Sequence, residues 1–126
     1  MKLRKILIID DEFPVGYLIK INLEAEGYEV ILALSGEEAL EKARGSPPDL
    51  ITLDVLMPEM DGFEVLKALK IDEALNSIPV MMISVINGMR KKRGIKMGAV
   101  DYLFKPIDFD NLLDRMKGLE MDKGPP

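Results

Sequence analysis

The chain has 126 residues, 48% of them hydrophobic and 31% charged, with a net charge of −5; this is one domain of ordinary globular composition, large enough for its own core. It contains no cysteine and no histidine, which excludes disulfides, thiolate chemistry, ordinary zinc sites, imidazole general bases and an internal phosphohistidine. Any resident metal must be a hard cation held by oxygen, and the acidic balance argues against direct binding of nucleic acid.

The basic start Met1-Lys2-Leu3-Arg4-Lys5 leads into an apolar run that Asp10-Asp11-Glu12 breaks, so it does not read as a secretory leader. No apolar run approaches the ~20 residues of a membrane span, and a cytoplasmic protein without membrane contact is expected. A strand is predicted over Lys5–Ile9, then a helix from Pro14 to Glu26 with Val15, Leu18, Ile19 and Leu23 in one stripe and Gly27 as its stop. Tyr28–Leu34 reads as strand. Ser35 with Glu37 and Glu38 opens a helix to about Arg44, closed by Gly45 and Pro47-Pro48. The third strand is Leu50–Leu53, and Asp61 caps a helix carrying Phe63, Leu66 and Leu69. Val80–Ile83 forms the fourth strand. A basic helix over Gly88–Met97 is weakened by the internal Gly94. Tyr102–Phe104 is a short fifth strand before a last helix near Phe109–Leu119. Residues 1–120 are expected to form the domain and 121–126 a disordered tail or a linker.

Strands alternating with helices imply right-handed crossovers and a parallel sheet covered on both faces. In such folds ligands bind at the carboxyl ends of the strands. The polar residues gather there: Asp10-Asp11 after the first strand, Asp54 after the third, Ser84 after the fourth, Lys105-Pro106 after the fifth. Three carboxylates, a hydroxyl and an ammonium in one place suit a divalent cation and charge transfer onto one carboxylate. Each has a plainer reading alone. Asp10-Asp11-Glu12 can be a helix-capping turn, Asp61-Gly62 a cap and turn, Lys105 a solvated lysine, Ser84 a strand-end hydroxyl and Tyr102 a half-buried strand tyrosine.

Taken in order, Asp10-Asp11-Glu12, Leu53-Asp54, Met57-Pro58-Glu59-Met60-Asp61-Gly62, Ser84 and Gly98 through Pro106 resemble a CheY-like response-regulator receiver domain, the phosphoacceptor module of two-component signalling. The resemblance covers about Lys5 to Leu119. It implies a doubly wound (βα)5 three-layer α/β sandwich of flavodoxin-like type, with a five-stranded parallel sheet in the order 2-1-3-4-5. It makes Asp54 the phosphoacceptor, with Lys105 and Ser84 contacting the phosphoryl oxygens. Magnesium, with manganese as a substitute, would be held by Asp10, Asp11, Asp54 and the backbone carbonyl of Leu56, and the domain would be less stable without it. Ser84 and Tyr102 would switch the face formed by the fourth helix, fifth strand and fifth helix. The implied donor is a sensor histidine kinase or a histidine phosphotransfer protein, docking on the first helix and on Met57, Pro58, Lys105 and Pro106. A downstream effector, or a second copy in a phosphorylated homodimer, would read the switched face.

Two features depart from the family pattern: Val85 stands after the switch hydroxyl where a small residue is usual, and the segment from Ser84 to Gly98 is short. With Leu56 and Ile86, Val85 is expected to hinder an attacking water and prolong an acyl phosphate. Competing readings are a pseudo-receiver that works without phosphorylation, and an aspartyl-phosphate phosphatase of haloacid-dehalogenase type. The second requires an acid/base Asp where this chain has Leu56, so the chain is expected to be a signalling switch rather than a turnover enzyme.

Overall fold

A computed structural model describes residues 2–57, 61–85 and 88–121. Its strands are β1 (Lys5–Ile9), β2 (Glu29–Ala33), β3 (Leu50–Asp54), β4 (Val80–Ser84) and β5 (Asp101–Phe104). The helices between and after them are α1 (Phe13–Ala25), α2 (Gly36–Gly45), α3 (Gly62–Ile71), α4 (Gly88–Lys96) and α5 (Phe109–Met121). The strands form one sheet in the order β2-β1-β3-β4-β5, with every pairing parallel. The expected doubly wound sandwich is therefore observed, with element ends within a few residues of those predicted.

The strands lack a polar face because each of their faces builds a separate core. Leu7, Ile9, Ile51, Leu53, Val80 and Met82 pack with α2 and α3 residues such as Ala39, Leu66 and Leu69. Ile6, Ile8, Leu50, Met81, Ile83 and Leu103 pack with Ile19 and Leu23 of α1 and Leu112 and Met116 of α5. Period-2 alternation thus sorts side chains between two apolar layers instead of between core and solvent. At roughly 25 cal/mol per Å² of apolar surface removed from water, these layers are the main stabilising contribution.

The helix ends follow local chemistry. Ser35 accepts a hydrogen bond from the Glu38 amide at 3.1 Å, and Asp61 accepts one from the Glu64 amide at 2.9 Å. Pro14 sits in the first turn of α1, where a missing N–H costs nothing. The outer side of β2 is closed by α2: Lys42 Nζ donates to the Leu32 carbonyl at 3.0 Å, and the Leu34 amide donates to Glu38 Oε1 at 2.7 Å.

Two glycines fix close approaches. The Gly62 amide donates to the Val55 carbonyl at 2.6 Å, and a Cβ there would lie 2.6 Å from both the Asp54 carbonyl oxygen and Val55 Cα. Gly94, expected to weaken α4, is the one residue that helix buries. A Cβ at Gly94 would meet Met82 Sδ at 2.7 Å and the Tyr102 ring at 3.5 Å, so its absence lets α4 lie against β4 and β5. The helix forms despite its poor propensity because the glycine faces the sheet. Methionine is only partly core filler: Met81, Met82 and Met116 are buried, while Met89 and Met121 are exposed. Among the described residues no helix is long and apolar enough to cross a membrane.

Gly62→Ala should lower stability by about 2 kcal/mol or more, because the added methyl meets backbone that cannot move aside. Gly45→Ala, where a Cβ meets nothing within 4 Å, should be neutral or mildly stabilising. Urea unfolding of both variants against the parent checks this.

Candidate functional site

The strand register assembles the site. β1 pairs with β3 so that Ile9 opposes Leu53, and the next residues of these strands are Asp10 and Asp54. β4 pairs with β5 so that Ser84 opposes Phe104, and the Lys105 amide donates to the Ser84 carbonyl at 2.7 Å. Both carboxylates therefore emerge side by side at one end of the sheet, with the lysine reaching in from its far side.

Asp10, Asp54 and Ser84 are buried, at 3%, 5% and 2% exposure. Lys105 Nζ lies 3.4 Å from Asp54 Oδ2 and 3.6 Å from Asp10 Oδ2, one ammonium shared by two carboxylates. Asp54 Oδ1 accepts from the Leu56 amide at 3.2 Å, and Asp10 Oδ1 accepts from the Glu12 amide at 2.9 Å. Asp10 thus closes a turn just before α1, but no side chain caps the helix, so its plainer reading holds only for the turn. Asp10 uses one oxygen for this while the other faces Lys105.

Burial dominates the electrostatics. It pushes the Asp54 carboxyl up from 3.8 to about 6; Lys105 pulls the other way, and the neighbouring Asp10 charge adds to the rise. Asp10 is likewise raised, by burial first, with the Glu12 amide and Lys105 opposing. Burial disfavours the Lys105 cation, but Asp54 and Asp10 together outweigh it and hold the ammonium above its ordinary value. One lysine does not neutralise this end of the sheet.

Carboxylate oxygens of Asp10, Asp11 and Glu12 lie within 4.8 Å of one another. Oxygen donors, with a buried carboxylate whose charge is disfavoured in their midst, fit a hard divalent cation. Asp54 joins Asp10 through Lys105 and is not part of that three-residue group. Glu12 is therefore a fourth carboxylate absent from the expected ligand set; its place in Asp10-Asp11-Glu12 was the available signal, obscured by its equal fitness as a helix-start residue. Leu56 and Val85 flank the site and are about half exposed. Pro58 and Ile86 lie outside the described residues.

Tyr102 is fully buried, not half-buried, with 2% exposure, because α4 closes over it at Gly94. Its ring lies 5.6 Å from that of Phe104. Burial raises its phenol above the usual value, with Ser84 opposing, and the hydroxyl makes no well-formed hydrogen bond among the described residues. Thr52, in the middle of β3, also buries an unpartnered hydroxyl; we have no physical account of it.

Comparison with known proteins agrees with this architecture. The family model for the response regulator receiver domain matches residues 6–117. The chain is 41% identical over 117 residues to the alkaline phosphatase synthesis transcriptional regulatory protein PhoP of Bacillus subtilis, covering 92% of this chain and 48% of that protein. It is 42% identical over 116 residues to the response regulator PleD of Caulobacter vibrioides, covering 91% of this chain and 26% of that protein. The chain thus spans about half or less of these curated relatives. Chemotaxis protein CheY4 of Vibrio cholerae superimposes with a TM-score of 0.87 at 33% identity, covering 93% of this chain and 98% of the other.

The raised Asp54 carboxyl makes a signed prediction. Between pH 3.8 and about 6 the folded state keeps a proton that the unfolded chain has released, so stability falls as pH rises through that window and stays reduced above it. In chelator at pH 7.5, Asp54→Asn should therefore be more stable than the parent by about 1–2 kcal/mol, the stranded Lys105 taking back part of the gain. The difference should vanish near pH 4, and urea unfolding at the two pH values measures it.

Proposed function

Because the chain belongs to the response regulator receiver family, we propose that it is a phosphoacceptor switch of a two-component system or phosphorelay, with Asp54 as the residue modified. The observation that carries this is the buried Asp54 carboxylate, 3.4 Å from Lys105 at the carboxyl end of the sheet. The chain has no histidine, so the donor is a phosphohistidine of a sensor kinase or phosphotransfer protein.

An Asp54 carboxylate oxygen attacks phosphorus; the P–O bond forms as the P–N bond breaks, and the electron pair departs on the imidazole nitrogen, which takes up a proton. Lys105 offsets charge on one phosphoryl oxygen, and the Ser84 hydroxyl donates to another. Asp10, Asp11, Asp54 and the Leu56 carbonyl, with Glu12 a further donor beside them, would hold a magnesium or manganese ion, which would supply positive charge to offset that of the phosphoryl group. Repulsion between Asp10 and Asp54 raises the free energy of the empty site. Filling it relieves that repulsion, so the domain should be more stable with magnesium than without.

A groove of about 710 Å³ runs from Glu12, Lys105 and Pro106 between α1 and α5, lined by Val15, Leu18 and Phe109 among others. Its apolar walls and its position beside the acidic site support donor docking on α1, with Met57 and Pro58 proposed as further contacts of the donor. On phosphorylation Ser84 moves toward the phosphoryl group. Tyr102, against Gly94 and Phe104, then transmits the change to the face of α4, β5 and α5 that an effector or a second copy reads. The pseudo-receiver reading loses ground because carboxylates, lysine and hydroxyl are all present.

Incubation with acetyl phosphate and magnesium should add the mass of one phosphoryl group to the intact chain. Asp54→Asn should show none, and Lys105→Ala should slow the gain by about 100-fold or more. A wild-type chain that binds magnesium yet gains no mass from acetyl phosphate or from a phosphohistidine donor would refute the assignment. Val85→Ala with Leu56→Asn should shorten the acyl-phosphate lifetime several-fold by admitting water; an unchanged decay rate removes the shielding role.

A further inference from the structure

α1 carries more apolar surface than its seat on the sheet uses. It buries Gly16, Ile19 and Leu23, one stripe of the kind that a helix on a sheet needs. Leu18, also exposed, borders the groove between α1 and α5. Phe13, Tyr17 and Ile21 follow at i, i+4 and i+8 and so form a second line along the helix. With Leu34, just after β2, Phe13 and Tyr17 line a groove of about 490 Å³ between α1 and α2. These four side chains are between 41% and 52% exposed. Single exposed apolar residues are ordinary, but a row of this size marks a surface that something covers.

The patch is ordered before any partner arrives. The Phe13 and Tyr17 rings are stacked, with centroids 5.3 Å apart and planes at 21°. Rings held in this way have little freedom left to lose on association. The rim is electrically balanced. Lys20 and Glu24 pair at 2.8 Å on the α1 side, and Lys42 and Glu38 lie 3.9 Å apart on the α2 side. These two cations and two anions cancel, within a chain whose net charge is −5. Glu38 and Lys42 also hold the Leu34 amide and the Leu32 carbonyl, which keeps their charged ends at the rim.

We propose that this α1–β2–α2 surface is a contact between two copies of the chain. Charge complementarity selects the occupant. A strongly acidic or basic partner finds no net charge here to draw it. A second copy finds one ammonium and one carboxylate on each flank, a pattern complementary to its own, as a two-fold contact demands. Copies that meet through a neutral patch also escape the repulsion that a net charge of −5 imposes on a contact of average charge. The ring pair of one copy fills the groove of the other, and β2 keeps its bonds to α2. This groove shares no lining residue with the donor groove between α1 and α5, nor any with the face of α4, β5 and α5. The pairing therefore neither needs phosphorylation nor rests on that reading.

The test is sedimentation equilibrium of the untreated full chain, with amide chemical shifts compared between dilute and concentrated protein. A monomer–dimer equilibrium with a Kd on the order of 10–100 μM is expected from a contact at the small end of specific interfaces. The shifts should move in α1, β2 and α2. Tyr17→Glu, which puts like charge into both halves of the contact, should weaken pairing by about tenfold or more. Ile71→Glu at the end of α3 and Ile95→Glu on α4 add the same charge at other exposed apolar residues. Each should leave the Kd within about twofold. Circular dichroism confirms that every variant folds. The proposal is overturned if the chain stays monomeric at about 1 mM, well above that Kd, or if association runs past the dimer. It is equally overturned if Ile71→Glu or Ile95→Glu weakens pairing as much as Tyr17→Glu, or if the shifts fall outside α1, β2 and α2. Because pairing is read on untreated protein, a failure of Asp54 to accept phosphate leaves this test intact.

Discussion

The register of β1 on β3 forces Asp10 and Asp54 to share one end of the sheet, and two carboxylates so placed must be neutralised or must protonate. Lys105 answers part of that demand from the far side, 3.4 and 3.6 Å from the pair. The arrangement survives because it is imposed by a sheet whose two faces are sealed in separate apolar layers. Sliding one strand to part the carboxylates would turn its whole side-chain set to the wrong layer. Hydrophobic burial thus holds charges where electrostatics alone would separate them.

The same economy of space connects that site to the surface. Gly62 lets α3 start directly against the backbone of Asp54 and Val55, and Gly94 lets α4 close over Met82 and Tyr102. Ser84 and Lys105 are joined through the backbone at the ends of β4 and β5. A movement at the carboxyl end of the sheet therefore meets α3, β5 and α4 through contacts that have almost no slack, and close-packed interiors pass on displacement rather than absorb it.

Much of this was legible in the sequence, for reasons that differ by residue. The strands could be read because burial on both faces demands runs such as Ile6 to Ile9 and Leu50 to Leu53, and the turn residues between them delimit the helices. Asp54, Ser84 and Lys105 could be read because parallel sheets place chemistry at strand ends. Three things escaped because they are properties of tertiary contact. Glu12 looks like any acidic residue at a helix start until its carboxylate is found beside Asp10 and Asp11. Gly94 lowers helix propensity in any window of sequence, and only the nearness of Met82 and Tyr102 shows why a larger residue does not fit. Tyr102 was set at half burial by strand position, and α4 rather than β5 decides its depth. The exposed apolar stripe of Phe13, Tyr17 and Ile21 on α1 is likewise invisible to periodicity, since this helix is apolar nearly all round.

The closure of β2 by Lys42 and Glu38 bears on how this domain meets other molecules. An open parallel sheet rich in Ile, Leu and Val offers its rim as a template on which any extended chain can add a strand, the route to domain exchange and to fibrils. Here the Leu32 carbonyl and the Leu34 amide are already taken by side chains of α2, so on this rim an incoming strand would have to displace them first. Two of the backbone groups along this rim are thus kept from a passing strand by the charged ends of α2 side chains.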